Sequence, residues 1–300
     1  MSHNWETQLR GLSAGDFHTL ARCISLVENE VQNSEELLRA LPSSGAPVIG
    51  ITGPPGAGKS TLADALIGEL LRHQKKIAVL CVDPSSPFSQ GSLLGDRIRM
   101  SEWYNNPDVF IRSLASRGSL GGLNPKIIEI TDLLKAAPFD YILVETVGVG
   151  QNEVEIAGLA DITLLVLVPE SGDEIQTMKA GLLEIADIFV VNKSDRPDAA
   201  RFVQGLRSMM PGHSIKNPAE IPIVQTIATQ KQGLPELAEK IMQLHQQEKS
   251  GHKKDLLTEK AYQLIVRRRM KDISKPELAR QIREKQEQGL FNLYQFVSGF

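Results

Sequence analysis

Val48-Ile49-Gly50-Ile51-Thr52-Gly53-Pro54-Pro55-Gly56-Ala57-Gly58-Lys59-Ser60-Thr61-Leu62 reads as a strand that breaks on a glycine-rich loop and continues as a helix. Val48 to Thr52 is uncharged and rich in β-branched residues, which suits a strand covered on both faces. Residues 53–60 match G-x-x-x-x-G-K-[S/T], and Leu62 to Leu71 follows with helical spacing. The chemistry needs these residue types. Glycines let the backbone curl so that successive N–H groups converge on phosphate oxygens. The helix that follows adds its positive end. Lys59 supplies a compact cation to the β- and γ-phosphates, and the Ser60 hydroxyl can ligate Mg²⁺. The candidate phosphate cradle is therefore Gly53, Pro54, Pro55, Gly56, Ala57, Gly58, Lys59, Ser60 and Thr61.

Around this loop the chain alternates short apolar runs with helical patterns. Strands are predicted at Val48–Thr52, Ile77–Val82, Val109–Ser113, Tyr141–Thr146, Ile162–Val168, Ile188–Asn192 and Ile223–Thr226. Helices are predicted at Lys59–His73, Asn124–Ala136 and Pro197–Met209. That alternation specifies an α/β fold with a doubly wound, mostly parallel sheet, and together with the loop at 53–60 it reads as a P-loop NTPase with helical N- and C-terminal extensions. The expected boundaries are 1–45 for an N-terminal helical extension, 46–246 for the nucleotide domain, and 247–300 for a C-terminal helical region that serves dimerisation or a partner. In that last region Leu256, Leu257, Leu264 and Ile265 are expected to share one helix face. Phe291, Tyr294, Phe296 and Phe300 form an apolar end that needs cover.

Composition narrows the function classes. Lys plus Arg is 33 against 36 Asp plus Glu, a net charge of −3, so nothing pulls the chain as a whole toward nucleic acid or anionic lipid. The basic stretch Arg267-Arg268-Arg269 lacks interleaved aromatics and reads as a solvated helix face. No apolar run approaches the roughly 20 residues needed to span a bilayer. No membrane or nucleic-acid partner is expected. Two cysteines, Cys23 and Cys81, make no disulfide framework and fit a reducing, cytoplasmic setting. The scattered His73, His213, His245 and His252 lack ligand spacing.

Three acidic residues are candidate metal contacts. Asp83 ends the second strand and Glu145 ends the fourth. In open parallel sheets ligands sit beyond the carboxyl ends of strands, so both should face a triphosphate and its Mg²⁺. Glu145 would hold the metal directly or through water, and Gly148 could offer its N–H to the γ-phosphate. Asp96 is the third, on a loop. For orienting the attacking water, Asp83 and Gln151 both remain open. Candidate switch segments are Pro84–Met100, Gly148–Glu155 and Pro169–Lys179.

Asn192-Lys193-Ser194-Asp195 closes the sixth predicted strand. An aspartate there can accept two parallel hydrogen bonds from the guanine N1–H and 2-amino group. Adenine lacks both donors, so the acceptor would go unpaired. Lys193 would lay its stem along the base and Asn192 would brace the loop. A second base-contacting loop is expected after the last strand, at Ile227-Ala228-Thr229, with the Ala228 N–H directed at guanine O6. GTP or GDP with Mg²⁺ is the ligand these motifs specify together.

With these residues in view, the chain resembles the MeaB/ArgK family of GTPases, in the dimer-forming branch of P-loop proteins. The likeness includes Leu20-Ala21-Arg22-Cys23-Ile24-Ser25-Leu26-Val27-Glu28-Asn29, Val82-Asp83-Pro84-Ser85-Ser86-Pro87 and Gly95-Asp96-Arg97-Ile98-Arg99-Met100. It continues through Gly118-Ser119-Leu120-Gly121-Gly122 and Glu145-Thr146-Val147-Gly148-Val149-Gly150-Gln151. The resemblance implies a homodimeric GTP-hydrolysing chaperone that assists cofactor loading and protection of an adenosylcobalamin-dependent acyl-CoA mutase of the methylmalonyl-CoA mutase type. Two alternatives stand beside it: a GTP-gated metallochaperone for nickel-type insertion, and a transport-linked kinase.

Overall fold

A computed structural model describes residues 5–31, 34–42, 45–83, 100–117, 122–148, 153–171, 184–209, 221–246, 250–289 and 291–300. The candidates Asp96 and Gln151, and most of the three switch segments, lie outside the described residues.

Seven parallel strands form one sheet: β1 (Val48–Thr52), β2 (Ile77–Asp83), β3 (Val109–Ala115), β4 (Tyr141–Glu145), β5 (Ile162–Leu167), β6 (Ile188–Val191) and β7 (Ile223–Gln225). Their order across the sheet is β3-β2-β4-β1-β5-β6-β7. All residues of β1, β2, β4, β5 and β6 are buried, as expected for strands covered on both faces. The chain winds outward through β2 and β3, returns at β4 beside β1, and then winds the other way through β5, β6 and β7. Loops leaving β1, β4 and β5 therefore diverge at the centre of the carboxyl edge, where such sheets bind ligands.

Helices follow the same logic. The three of the N-terminal extension are α1 (Trp5–Ser13), α2 (Phe17–Glu28) and α3 (Ser34–Arg39). The Asp16 side chain accepts from the His18 and Thr19 N–H groups and caps α2, and the Thr19 hydroxyl bonds to the same carboxylate. That last bond leads the causes that hold the Asp16 carboxyl below the usual range. Helix α4 (Lys59–Arg72) follows the glycine-rich loop, and α5 (Ile127–Lys135) precedes β4. The predicted helix start at Asn124 is three residues early. Asn124 instead holds a turn, donating to the Ala115 carbonyl at 2.6 Å and accepting from the Lys126 N–H at 2.7 Å. Helix α6 (Ala199–Met209) likewise starts after Pro197, because Asp198 is left-handed at φ +69°. Helix α7 (Leu234–Gln246) completes the set around the sheet.

Alternate strand residues face opposite sides. Leu164, Val166, Ile188 and Val190 pack with Leu62, Leu66 and Leu70 of α4 and with Leu237 and Ile241 of α7. Leu165, Leu167, Phe189 and Val191 pack with Phe202, Val203 and Leu206 of α6 on the other side. Phe17 of α2 meets Phe110 of β3 and Phe139, with ring centroids 5.4 and 5.9 Å away, fastening the N-terminal helices to that second face. Burial pushes the Cys23 thiol up to about 11, so it packs as a small apolar group at neutral pH.

Residues Met1–Lys253 form one compact unit and Lys254–Phe300 a second. The second carries most of α8 (Ser250–Arg269), then α9 (Lys275–Glu287) and α10 (Leu293–Val297). The expected common face of α8 is narrower than its sequence suggests: Leu256 is buried and Leu264 half-buried, but Leu257 and Ile265 are exposed. At the chain end Phe296 is buried against the Phe291 and Phe300 rings, while Tyr294 is 86% exposed. No helix among the described residues is long and apolar enough to cross a membrane.

Because Phe189 is 1% exposed at the centre of its layer, Phe189→Ala should cost about 3–5 kcal/mol, read as a lower urea midpoint.

Candidate nucleotide site

The phosphate loop leaves β1 at Thr52. Gly53 is held at φ +143°, and a Cβ there would strike the Val166 carbonyl oxygen of neighbouring β5, so only glycine lets the loop turn this close to the sheet. Pro55 and Gly56 form the exposed crest, and Ala57 turns back under it, its N–H donating to the Pro54 carbonyl at 3.3 Å. Gly58 is the N-cap of α4 and brings no side-chain acceptor to the helix end, which leaves the first-turn donors directed at the loop.

Lys59 is buried and turns its ammonium back along the loop, 2.8 Å from the Gly53 carbonyl and 3.2 Å from that of Pro54. Gly148, left-handed at φ +79°, lies so close to this ammonium that a Cβ at that position would collide with it. The backbone after β4 is thus brought to the tip of Lys59.

Ser60 donates its hydroxyl proton to Glu145 Oε1 at 2.6 Å. These residues are 85 apart in the chain, and the hydrogen bond joins the start of α4 to the end of β4. Asp83 is also buried, at the end of β2, two residues past the Cys81–Glu145 register pair. A hydroxyl in contact with one carboxylate, with a second buried carboxylate on the next strand, is an oxygen donor set suited to a hard divalent cation.

The base-reading motif is tied to the phosphate loop through Asn192. Its side chain is 2% exposed, donates to the Ala57 carbonyl at 2.9 Å, and accepts from the Thr226 hydroxyl at 3.1 Å and the Ala228 N–H at 3.2 Å. Lys193, left-handed at φ +56°, adds a second tie, its ammonium 2.8 Å from the Gly56 carbonyl. Ser194 donates its N–H to the Thr226 carbonyl at 3.1 Å, and Asp195 is exposed at the turn. The second base loop forms a 3-10 turn over Ala228–Gln230, closed by a bridge between Ile227 and Gln232. Ile227 is half-buried, Ala228 buried and Thr229 exposed. The Ala228 N–H is engaged by Asn192, so a base carbonyl arriving there would share that donor.

Two features were not read from the sequence. Thr226, at the end of β7, completes the hydrogen bonding of Asn192; its signal was a hydroxyl residue directly before the second base loop. Arg196, next to the motif, pairs with Glu170 beyond β5, and that hydrogen bond holds the Glu170 carboxyl below its ordinary range. Nothing in local spacing pairs positions 26 apart.

Residues 20–286 match the family described as "Methylmalonyl Co-A mutase-associated GTPase MeaB". The chain belongs to the MeaB family of GTPases. Among curated relatives, a Pyrococcus abyssi protein named as a GTPase is 47% identical over 251 residues, 81% of this chain and 77% of that one. The Geobacillus kaustophilus "Fused isobutyryl-CoA mutase" is 39% identical over 241 residues, 74% of this chain but 22% of that one. Among solved structures, "Crystal structure of LAO/AO transport system kinase" covers 100% of this chain and 97% of its own, with a TM-score of 0.68 and 25% identity.

Asn192→Ala should leave the Ala57 carbonyl and the Ala228 N–H without this partner, at about 1–3 kcal/mol for each group left unsatisfied. GTP and GDP affinity should fall together with the melting temperature, read by fluorescent-nucleotide titration and thermal unfolding.

Proposed function

We propose that this chain binds GTP with Mg²⁺ at the carboxyl edge of the sheet and uses hydrolysis to chaperone an adenosylcobalamin-dependent acyl-CoA mutase. The observation that carries the nucleotide reading is the Ser60–Glu145 hydrogen bond beside the Lys59 ammonium, with the base motif tied to the same loop by Asn192. In this reading residues 46–246 hold the nucleotide chemistry, and residues 1–45 and 247–300 extend it.

Each residue then has a physical task. The Gly53–Thr61 backbone and the first turn of α4 receive the phosphates. Lys59 leaves its carbonyl partners and neutralises charge between the β- and γ-phosphates. Ser60 and Glu145 hold the metal, with Asp83 as a further oxygen donor or as the group that orients water. Mg²⁺, when bound, spreads the charge that builds on the phosphate oxygens. Gly148 offers its N–H on the γ-phosphate side. Asp195 reads the guanine edge, and Lys193 covers the base.

The mutase partnership is supported by the fused isobutyryl-CoA mutase, in which a segment like this chain shares one polypeptide with a mutase. Fusion gives two modules a high effective concentration, which is useful where they act together. A homodimer is part of the proposal. A transport-linked kinase is the second reading, favoured by the name of the structurally similar LAO/AO transport system kinase. The two readings differ in where the γ-phosphate goes.

Incubation with γ-labelled GTP should release label as inorganic phosphate; transfer to protein or amino acid would favour the kinase. Capture from native cells with GTP-bound protein should retain an acyl-CoA mutase, identified by mass spectrometry, and its absence would remove the chaperone role. Lys59→Ala should abolish most turnover with circular dichroism unchanged. Asp195→Asn should weaken GTP by about a hundredfold or more and turn preference toward XTP. Xanthine keeps N1–H but carries a 2-oxo acceptor, which suits the amide of asparagine. Unchanged selectivity in a competition titration would remove Asp195 from base reading.

A further inference from the structure

The exit of β3 is tied to the strand that carries Asp83. Ser116 donates its N–H to the Asp83 carbonyl at 2.9 Å. Arg117 follows, its backbone left-handed at φ +47°. A side chain with a Cβ stays in that region only when its surroundings hold it there.

The C-terminal end of α2 supplies the hold. Arg117 Nη1 donates to the Glu28 carbonyl at 3.1 Å, and Nη2 donates to Asn29 Oδ1 at 3.4 Å and lies 3.4 Å from Glu28 Oε1. The other Glu28 oxygen faces Arg112 of β3 at 3.5 Å, and Arg112 donates to the Ser25 hydroxyl at 3.1 Å. A guanidinium across terminal helix carbonyls complements the negative end of the helix. Attaching α2 does not require this clamp, because the Phe17–Phe110–Phe139 cluster already fastens the other end of the helix.

We propose that Arg117 is a positioning residue for hydrolysis: clamped by Glu28 and Asn29, it fixes the exit of β3 and, through Ser116, the backbone at Asp83. This rests on the reading that the crevice holds GTP. The tie reaches Asp83, on the metal and water side of the crevice; the base loop is held separately by Asn192. Loss of the clamp therefore acts on turnover and leaves diphosphate binding alone.

The test compares Arg117→Gly, Arg117→Ala, Arg117→Lys and Glu28→Gln in the full chain, measuring steady-state GTP hydrolysis, GDP affinity and melting temperature. Glycine accepts the left-handed backbone without strain, so Arg117→Gly should melt close to the unaltered protein. Its kcat should still fall on the order of tenfold to a hundredfold, with the Kd for GDP within about twofold. Arg117→Lys, which lacks the fork, should recover part of the rate, and Glu28→Gln should show the same split more weakly. Wild-type turnover in Arg117→Gly and Arg117→Ala would overturn the proposal. So would a fall in kcat matched by equal losses of GDP affinity and melting temperature. If the unaltered chain binds no GDP, the site reading fails first and this inference falls with it.

Discussion

A buried primary amide cannot be left with empty donors and acceptors, and Asn192 meets that requirement with partners from two other segments. Its amine holds the phosphate loop at Ala57, and its carbonyl holds the β7 end at Thr226 and Ala228. The spacing between the glycine-rich loop and the β7 end is therefore set by one side chain's hydrogen bonds. Lys193 repeats the connection at Gly56. These bonds join the two loops directly.

The parallel sheet makes this arrangement available. With β1 between β4 and β5, the glycine-rich loop rises beside the Glu145 strand end on one side and close to the Asn192 strand on the other. Ser60 and Glu145 meet across the first gap. Gly148 meets Lys59 at the tip of the same gap, where a Cβ would collide with the ammonium. In this MeaB-family GTPase the glycine-rich loop follows β1, Glu145 ends β4 and Asn192 follows β6, and hydrogen bonds join the last two to the loop and the helix start behind it.

The two ends of the chain behave differently. The N-terminal helices are fastened to the sheet by aromatic packing and by the arginines at the end of α2. The last residues cover Phe296 with their own rings and with Lys285, whose ammonium is 5.5 Å from the ring, yet they leave Tyr294 and Phe300 exposed.

Much of this was legible before any coordinates. The seven strands announced themselves as short apolar runs because burial on both faces leaves no room for polar alternation. The phosphate loop and the Asn-Lys-Ser-Asp turn were legible because each packs its chemistry into a few consecutive residues. Three things could not be read that way. Helix starts at Ile127 and Ala199 depended on the hydrogen bonds of Asn124 and the left-handed backbone of Asp198. The exposure of Leu257 and Ile265 depended on which neighbours α8 finds, and spacing describes only the helix itself. The pairings of Ser60 with Glu145, Asn192 with Thr226, and Arg117 with Glu28 join positions 85, 34 and 89 residues apart. Residue type and local order specify which groups a chain carries; which of them touch is decided when the sheet closes and distant strand ends are forced side by side.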